Sequence, residues 1–262
     1  MTVVESTSGR ASVVLRSVPS EAPWTWLARG WQDLRRARWV SLSYGLCFAV
    51  ISAAITAGLW LTDSLPSLPA VAAGFMLVGP LLAVGLYEIS RRLEAGKPVS
   101  IQAAILSITR SPVQLGFLGV LLMLFLLFWI RLAFLLFALF LGTGQAPPPE
   151  VFLNQLLFTP EGLGLLIVGT LSGAVLAFAA YAISVVSVPL LLDRDIDAMS
   201  AIIVSLKSVR KNWKAMLLWA WLIALITTVG LATLYVGLIV TFPLIGHATW
   251  HAYRDLVEPA SH

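Results

Sequence analysis

Long apolar runs constrain this chain more than any other feature of its sequence. Four runs, at residues 40–61, 68–87, 113–141 and 162–192, reach the length of about 20 residues that a helix needs to cross a bilayer. A fifth run, at residues 213–245, would make a single rod of about 50 Å, which is too long for one ordinary crossing. The runs predict an all-α membrane protein.

The fifth run is predicted to break near residues 227–230, so that a second helix continues to about Trp250. This gives a polytopic fold with six transmembrane helices. Composition agrees, because 59% of the residues are hydrophobic and only 11% are charged, whereas soluble domains carry about 25% charged residues. A soluble globular class is therefore excluded.

The distribution of Lys and Arg predicts the topology. Every one of them except Arg131 lies in the N-terminal tail, in the segments 29–38, 91–110 and 194–214, or at Arg254. These positions share one side of the membrane only if the number of spans is even. The positive-inside rule then places both termini in the cytoplasm.

Two tryptophans support the first span. Trp39 and Trp60 flank it at a separation of about 30 Å, which matches two interfacial belts. We predict both as interfacial anchors.

The domain organisation follows from the position of the first apolar pattern. Residues 1–22 lack the apolar core of a signal peptide and are predicted to form a disordered cytoplasmic tail. Residues 23–258 are predicted to form a single transmembrane domain.

An amphipathic pattern precedes three pairs of spans and predicts an internal repeat. The stripe that contains Ile101 and Ile105 recurs at Met199 and Ile203, and a looser stripe of tryptophans and leucines begins at Trp24. Three units are predicted, at about residues 23–96, 97–194 and 195–258. Each would be a hairpin of two spans preceded by a cytoplasmic amphipathic helix.

In the looser stripe, the apolar face is predicted to contain Trp24, Leu27, Trp31 and Leu34, with Asp33 turned away from it.

Each unit's second span contains a proline followed by leucine, at Pro80, Pro189 and Pro243. Because proline removes a helical donor and kinks the helix, we expect a shared bend at these three places.

Ionisable residues recur at fixed distances from these prolines. Glu88, Asp197 and His251 follow them by the same interval, and Asp193 and His247 share a shorter interval. The pattern predicts an interhelical polar cluster near the cytoplasmic ends of the second, fourth and sixth spans. The alternative is that these groups contact water or headgroups, with Asp197 as the N-cap of the following helix.

The two histidines allow two interpretations. His247 and His251 lie on one helical face, a spacing that can hold a metal if Glu88, Asp193 or Asp197 supply further ligands. The preferred interpretation is interhelical hydrogen bonding, with Glu88 as the partner of His251. No metal and no cofactor are then expected.

The residues around these histidines are predicted to mark the headgroup layer. Amphipathic rings and a cation are favourable there, and Trp250, Tyr253 and Arg254 supply them.

The segment at residues 132–171 is predicted to be an apolar excursion on the external side of the membrane. Its phenylalanines Phe134, Phe137 and Phe140 form a candidate docking surface for another protein or for the outer leaflet. The alternative is a steeply tilted pair of long helices.

Two motifs carry a resemblance to a known family. The stretches GPLLAVGLYEISRRLEAGKP at residues 79–98 and FPLIGHATWHAYRDLV at residues 242–257 resemble the signatures of a bacterial family of predicted integral inner-membrane proteins, catalogued as a domain of unknown function. The resemblance covers about residues 24–257 and implies an inner-membrane location but no activity. The positions that match the family pattern are Gly79, Pro80, Gly85, Tyr87, Ser90, Arg91, Arg92, Glu94, Pro243, Gly246, His247, Trp250, His251, Tyr253 and Arg254.

The function class is predicted from what the sequence offers. No GxSxG, HExxH or phosphate-binding glycine loop is present in the sequence, so we do not expect an enzyme. The favoured function is a non-catalytic accessory, scaffold or assembly subunit of a larger inner-membrane complex. Its partners would be the lipid bilayer and other membrane subunits, and not nucleic acid. The alternatives are a small-solute transporter or channel and, third, a metal-binding assembly or redox factor.

Overall fold

The computed structural model describes residues 2–5, 12–142 and 148–258. A short antiparallel pair of strands, β1 (Thr2–Glu5) and β2 (Ser12–Leu15), precedes a chain that is otherwise helical in this part. The predicted all-α membrane fold is confirmed. The helices are α1 (Ala22–Arg36), α2 (Arg38–Leu61), α3 (Leu68–Leu82), α4 (Val84–Glu94), α5 (Ile101–Leu106), α6 (Pro112–Leu141), α7 (Pro149–Phe158), α8 (Pro160–Ser184), α9 (Ser187–Asp193), α10 (Ala198–Lys211), α11 (Trp213–Ala232) and α12 (Leu238–Leu256).

Five helical segments of the described chain are long and apolar enough to cross a membrane. They are Arg38–Leu61, Leu65–Glu94, Pro112–Leu141, Pro160–Asp193 and Trp213–Ala232. The first four contain the predicted apolar runs. Helix α12 is not one of them, and the sixth crossing stays a prediction.

The fifth apolar run is divided into two helices, as predicted, although the break lies at residues 233–237 and so a little later than expected. Leu234 and Tyr235 turn the chain there with positive φ angles of 52° and 69°. The hydroxyl of Tyr235 is hydrogen-bonded to Thr56, near the end of α2. At its other end, α12 finishes beside β2, where the amide of Arg16 donates to the carbonyl of Leu256 at 2.9 Å. Helix α12 therefore runs back along the bundle, antiparallel to α11.

Helix α12 is the central helix of one half of the molecule, with α1, α2, α4 and α11 packed around it. Glycine makes two of these contacts possible. A Cβ at Gly30 would lie 2.7 Å from the backbone nitrogen of Ala248, and a Cβ at Gly45 would lie 2.4 Å from the carbonyl oxygen of Ile239. Because backbone atoms cannot move aside as a flexible side chain can, α1 and α2 reach α12 only through glycine.

Gly246 of α12 also lies in a close helix contact. A Cβ there would lie 2.5 Å from Leu86 of α4.

The other half of the molecule consists of α3, α6 and α8, with α7 folded against α8. Trp129 of α6 is buried in this half, and its indole nitrogen donates to the carbonyl of Ala70 at 2.8 Å. Gly173 of α8 faces the same indole ring. The tryptophan therefore fastens α6 to both of its neighbours.

The predicted disorder of the N-terminal tail is wrong for the residues that precede α1. Val13 and Leu15 are buried, and the amide of Val18 donates to the side chain of Asn212 at 2.9 Å. Lys211 donates to the carbonyl of Leu15 at 2.8 Å. These partners lie far along the chain, so local composition could not reveal them. Residues 1 and 6–11 of the predicted tail lie outside the described residues.

The predicted apolar face of α1 is partly wrong, because Leu34 is buried and Leu27 packs against the core as predicted, but the two tryptophans are not buried. Trp24 and Trp31 are 56% and 46% exposed, whereas Trp26, Gly30 and Asp33 are buried. The helix is turned towards α12, because Gly30 gives the closest approach and the indole of Trp26 donates to Asp255 at 2.8 Å. The exposed tryptophans then face away from the bundle.

The three prolines do not share one bend. The helical axis is interrupted just after Pro80, between α3 and α4, and just before Pro189, between α8 and α9. Helix α12 continues through Pro243 without interruption. The order of a short helix before each pair of spans matches the predicted repeat, and similarity among the three units stays a prediction.

The path of α12 predicts where its two ends lie relative to the membrane. A topology reporter fused after Thr233 and one fused after His262 should report opposite sides. A control fusion after Asn212 should agree with the one after His262, because α11 and α12 form a hairpin. If the fusions after Thr233 and His262 report the same side, the sixth crossing does not exist.

Candidate functional site

Polar and charged side chains gather at one end of the bundle, where α1, α4, α9 and the second half of α12 meet. We call it the basic end, because most of the lysines and arginines lie there. All five members of the predicted polar cluster are at this end. They belong to separate groups of contacts instead of one.

Five side chains from four helices form a continuous buried network. Asp33 of α1 accepts from Ser90 of α4 at 2.8 Å, and His251 of α12 lies 2.8 Å from the same carboxylate oxygen. Ser90 also lies 2.8 Å from Nδ1 of His247, whose Nε2 is 2.9 Å from Ser41 of α2. We call these five residues the buried network. It joins α1, α2, α4 and α12.

The direction of each hydrogen bond follows from the donors available. Ser90 donates its only hydroxyl proton to Asp33, so its oxygen accepts from His247 through an Nδ1–H group. A neutral His247 with its proton on Nδ1 then accepts at Nε2 from the hydroxyl of Ser41. The tautomer is inferred from these partners. The hydrogen bonds therefore form a series in which Ser41 donates to His247, His247 to Ser90, and Ser90 to the carboxylate of Asp33.

Electrostatics favour the ionised form of Asp33. Burial alone would raise the pKa of this carboxyl, which is only 4% exposed, but hydrogen bonds from His251 and Ser90 hold the pKa below its ordinary value. The carboxylate is a buried anion with hydrogen-bond donors on two other helices. Losing either donor would leave a buried charge poorly compensated.

Glu88 has other partners than the predicted one. Its carboxylate is fully buried and accepts from Arg91 at 2.8 Å, from Arg92 at 2.7 Å and from Arg110 at 3.3 Å. The predicted contact between Glu88 and His251 is wrong. Two arginines one helical turn along α4 are closer partners for a buried carboxylate than a histidine on another helix.

A third group surrounds the end of α12. Tyr253 donates to Asp193 at 2.6 Å, Arg254 pairs with Glu94 at 3.0 Å, and the indole of Trp250 donates to Glu94 at 3.1 Å. Trp250 and Tyr253 are 0% and 1% exposed. Their side chains therefore contact protein instead of lipid headgroups, and their depth in the membrane stays a prediction. Arg254 is bound between two carboxylates instead of anchoring in lipid headgroups.

Asp197 accepts from the amide of Ser200 at 2.8 Å and caps α10. The alternative prediction, that Asp197 is the N-cap of the following helix, is therefore confirmed.

Sequence reasoning missed three members of the buried network: Asp33, Ser41 and Ser90. A signal for the first was available, since Trp26, Gly30 and Asp33 follow the i, i+4, i+7 spacing of a buried helical face. The two serines gave no such signal, because a hydroxyl within an apolar run is compatible with many environments.

Metal coordination gains no support from this arrangement. Within residues 2–5, 12–142 and 148–258, no group of three or more His, Cys, Asp or Glu side chains is placed to hold a metal ion. Both ring nitrogens of His247 are already hydrogen-bonded to serines. The arrangement connects helices and leaves no converging set of free ligands.

The candidate docking residues are divided by the fold. Phe134 is 63% exposed, whereas Phe137 stacks on Phe152 of α7 with ring centroids 6.3 Å apart. Phe140 covers Gly164, where a Cβ would lie 2.5 Å from the phenylalanine ring. Only the first of the three has its side chain turned outwards. Residues 143–147 of the predicted excursion lie outside the described part.

Trp39 and Trp60 are 73% and 69% exposed at the two ends of α2, and their role as interfacial anchors stays a prediction.

Comparison with known families identifies one segment. Residues 67–193 match the family model of a predicted integral membrane protein, DUF2189. Over this segment the chain is similar to the DUF2189 family. The DUF2189 segment runs from the start of α3 to the end of α9 and includes the first of the two motifs. The second motif lies outside it, as do Asp33, Ser41 and both histidines of the buried network. No curated protein and no solved structure matches the chain significantly.

Replacing Asp33 with Asn should destabilise the basic end. The change removes the charge that the four other side chains of the buried network are arranged to stabilise, so the free energy of unfolding should fall by about 1.5–3 kcal/mol. Asp195→Asn is the matched control, because Asp195 is exposed at the same end, and it should change stability by less than about 0.5 kcal/mol. Denaturant titration in a mild detergent measures both. Equal stabilities of the two variants would contradict the role of the buried network.

The stability difference should also depend on pH. Because folding lowers the pKa of Asp33, its contribution is fully present above the unfolded value of about 4 and is lost as pH falls through the folded value. The difference between the wild type and Asp33→Asn should therefore be constant from pH 5 to 7 and shrink below about pH 4. A difference that is independent of pH down to 3 would show that the charge is not its source.

Proposed function

We propose that this protein is a non-catalytic accessory or scaffold subunit of a larger complex in the bacterial inner membrane, with both termini in the cytoplasm. One observation carries the proposal: exposed apolar surface extends, at the end opposite the basic end, beyond what one bilayer can cover. The length of α6, the apolar surface that it presents and the chemistry of the basic end support the proposal.

Helix α6 is longer than a membrane crossing requires. Its 30 residues extend about 45 Å, whereas the hydrocarbon core is about 30 Å thick. Its first turn is fixed at the basic end, where Ser111 donates to the carbonyl of Leu191 at 2.9 Å and Arg110 pairs with Glu88. The excess length of roughly 15 Å therefore accumulates at the opposite end.

The surface at that end is apolar and uncovered. Phe134, Leu135 and Leu139 of α6 are 63%, 63% and 73% exposed, and Phe158 of α7 is 78% exposed. We call these four residues the far-end surface. A contiguous apolar surface that extends past the hydrocarbon needs a cover. A partner subunit with its own apolar helix would provide one.

The chemistry of the basic end supports a structural role. The charged groups of the buried network, of Glu88 and of Asp193 are each engaged by partners within the protein. Such closed groups hold helices in register, and they leave no nucleophile beside a free base. A scaffold requires a rigid end of this kind, whereas an enzyme requires polar groups that are free to contact a substrate.

Transport is the second candidate, and one observation favours it. A cavity with a volume of about 230 Å³ lies within the bundle between α3, α8, α11 and α12. Its walls are mostly apolar, so a charged solute would find few partners there. Transport of a polar small molecule has less support than a scaffold role for this reason.

The far-end surface gives a direct test of the scaffold role. Changing Phe134, Leu135 and Leu139 together to Ala removes apolar contact area without adding polar groups. If a partner covers this surface, its recovery after purification in a mild detergent should fall at least about tenfold, as expected when an interface loses its central contacts. Quantitative mass spectrometry of stoichiometric co-purifying membrane proteins measures this loss.

The matched control changes Val120, Leu124 and Leu127 to Ala. These residues are also exposed on α6, at 63%, 56% and 52%, but lie nearer its start, at the level of the hydrocarbon. The control should retain the partner. Equal loss from both variants, or no stoichiometric partner of the wild-type protein, would contradict the scaffold role and leave transport as the better candidate.

A further inference from the structure

The cavity within the bundle is longer than it is wide. Its lining residues extend from Phe75 of α3 to Tyr87 of α4. These two positions are about 18 Å apart along the helices, at about 1.5 Å per residue. A second cavity of about 460 Å³ adjoins it towards the far end, and Met76, Ala174 and Ala177 line both. The two together form one elongated space between the halves of the molecule.

The space is apolar and borders the surface that faces lipid. Phe75, Ile223, Phe242 and Ile245 form much of the wall of the smaller cavity, and no Lys, Arg, Asp or Glu is among the described residues that line it. Helices α8 and α11 are joined by the hydrogen bond from Tyr181 to the carbonyl of Met216 at 2.8 Å, but they otherwise make few close contacts, and Phe178 at this gap is 41% exposed. Hydrocarbon from the bilayer can therefore reach the cavity from the side.

Three hydroxyl groups are the unexpected feature of this apolar space. Tyr87, Thr227 and Thr249 line the smaller cavity with side chains that are only 2%, 7% and 4% exposed. In the part of the chain that the structure describes, none of the three hydroxyls has a hydrogen-bond partner.

Their lack of partners differs from the usual behaviour of hydroxyls in helices. A hydroxyl in a helix commonly donates to the carbonyl one turn earlier, as Ser184 does to Ala180 at 2.6 Å and Ser187 to Ile183 at 2.6 Å. The three hydroxyl oxygens are not among the fully buried polar atoms that lack a partner, so they are accessible from the cavity that their residues line. An unpaired hydroxyl in an apolar space is unfavourable, and a ligand with hydrogen-bonding atoms would supply the missing partners.

We propose that this cavity binds the acyl or alkyl chain of an amphiphile, with an uncharged polar group such as an ester or a hydroxyl bonded to Tyr87, Thr227 and Thr249. The apolar length accommodates the chain, and the side opening admits it from the bilayer. The lining offers no cation, so a phosphate or an ionised carboxylate would have no counter-charge inside. The inference is independent of the proposed scaffold role.

Photo-crosslinking of the full chain in vesicles tests the site. The vesicles contain phosphatidylethanolamine and phosphatidylglycerol, and a diazirine is placed either on an acyl chain of phosphatidylethanolamine or on free hexadecanol. We expect cross-links on cavity-lining residues of α8, α11 and α12, located by peptide mass spectrometry. Labelling by the phospholipid alone identifies a bilayer lipid as the ligand, and labelling by the alcohol alone identifies a single-chain amphiphile. Labelling of the cavity by neither probe overturns the proposal.

Two variants distinguish binding in the cavity from contact with the outer surface. Ala224→Phe fills the space where the two cavities meet and should reduce cavity labelling about tenfold, whereas Thr227→Val removes one hydrogen bond and should reduce it about fivefold. Thr228→Val is the matched control, because Thr228 is exposed, does not line the cavity and should label as the wild type does.

If Ala224→Phe fails to fold, the comparison of Thr227→Val with Thr228→Val still distinguishes binding in the cavity from contact with the outer surface, because both are conservative changes. Thermal unfolding in detergent confirms that each variant is intact. Equal labelling of all variants, spread over lipid-facing residues, would show surface lipid only and would overturn the proposal.

Discussion

The carboxylate of Asp33 is the interaction on which the basic end depends. It is an anion inside the protein, and the protons of Ser90, His247 and Ser41 follow one another towards it while His251 donates from the other side. A buried charge is tolerated only where donors surround it, so the helices that carry those donors must hold their positions. The register of α1, α2, α4 and α12 therefore depends on one side chain in a helix that does not itself cross the membrane.

The packing of α12 explains why the most polar long helix is also the most central. Its backbone is covered by α1 at Gly30 and by α2 at Gly45, so its histidines meet protein rather than lipid. A helix that lipid surrounds must be apolar on every side, whereas a helix that other helices surround can carry polar groups if each finds a partner. Trp250 and Tyr253 follow the same rule, since each is buried with a carboxylate as its partner.

The helices that cover α12 show which parts of the fold could be predicted from the sequence alone and which parts could not. Hydropathy predicted the long apolar helices correctly, because the requirement to span hydrocarbon acts on each segment separately. It also predicted that the fifth run would divide. The buried face of α1 was predicted wrongly in part, and so was the partner of Glu88 in full, because each depends on which distant segment packs beside it. Asp33 was assigned to the exposed face of α1 for the same reason: its donors lie on α4 and α12, far along the chain.

The pairing of β2 and α1 with the end of α12 has a consequence for biogenesis. The amide of Glu258 donates to the carbonyl of Val14, and that of Arg16 donates to the carbonyl of Leu256, so β2 and the end of α12 close on each other. A ribosome delivers the chain from its N-terminus, which means that Asp33 is synthesised long before His247 and His251. During that interval α1 has no surface to pack on. The basic end is completed only after α12 has been synthesised, and a chain truncated before α12 would keep an unsatisfied carboxylate and an uncovered α1, features by which a membrane protease could distinguish unfinished molecules from folded ones.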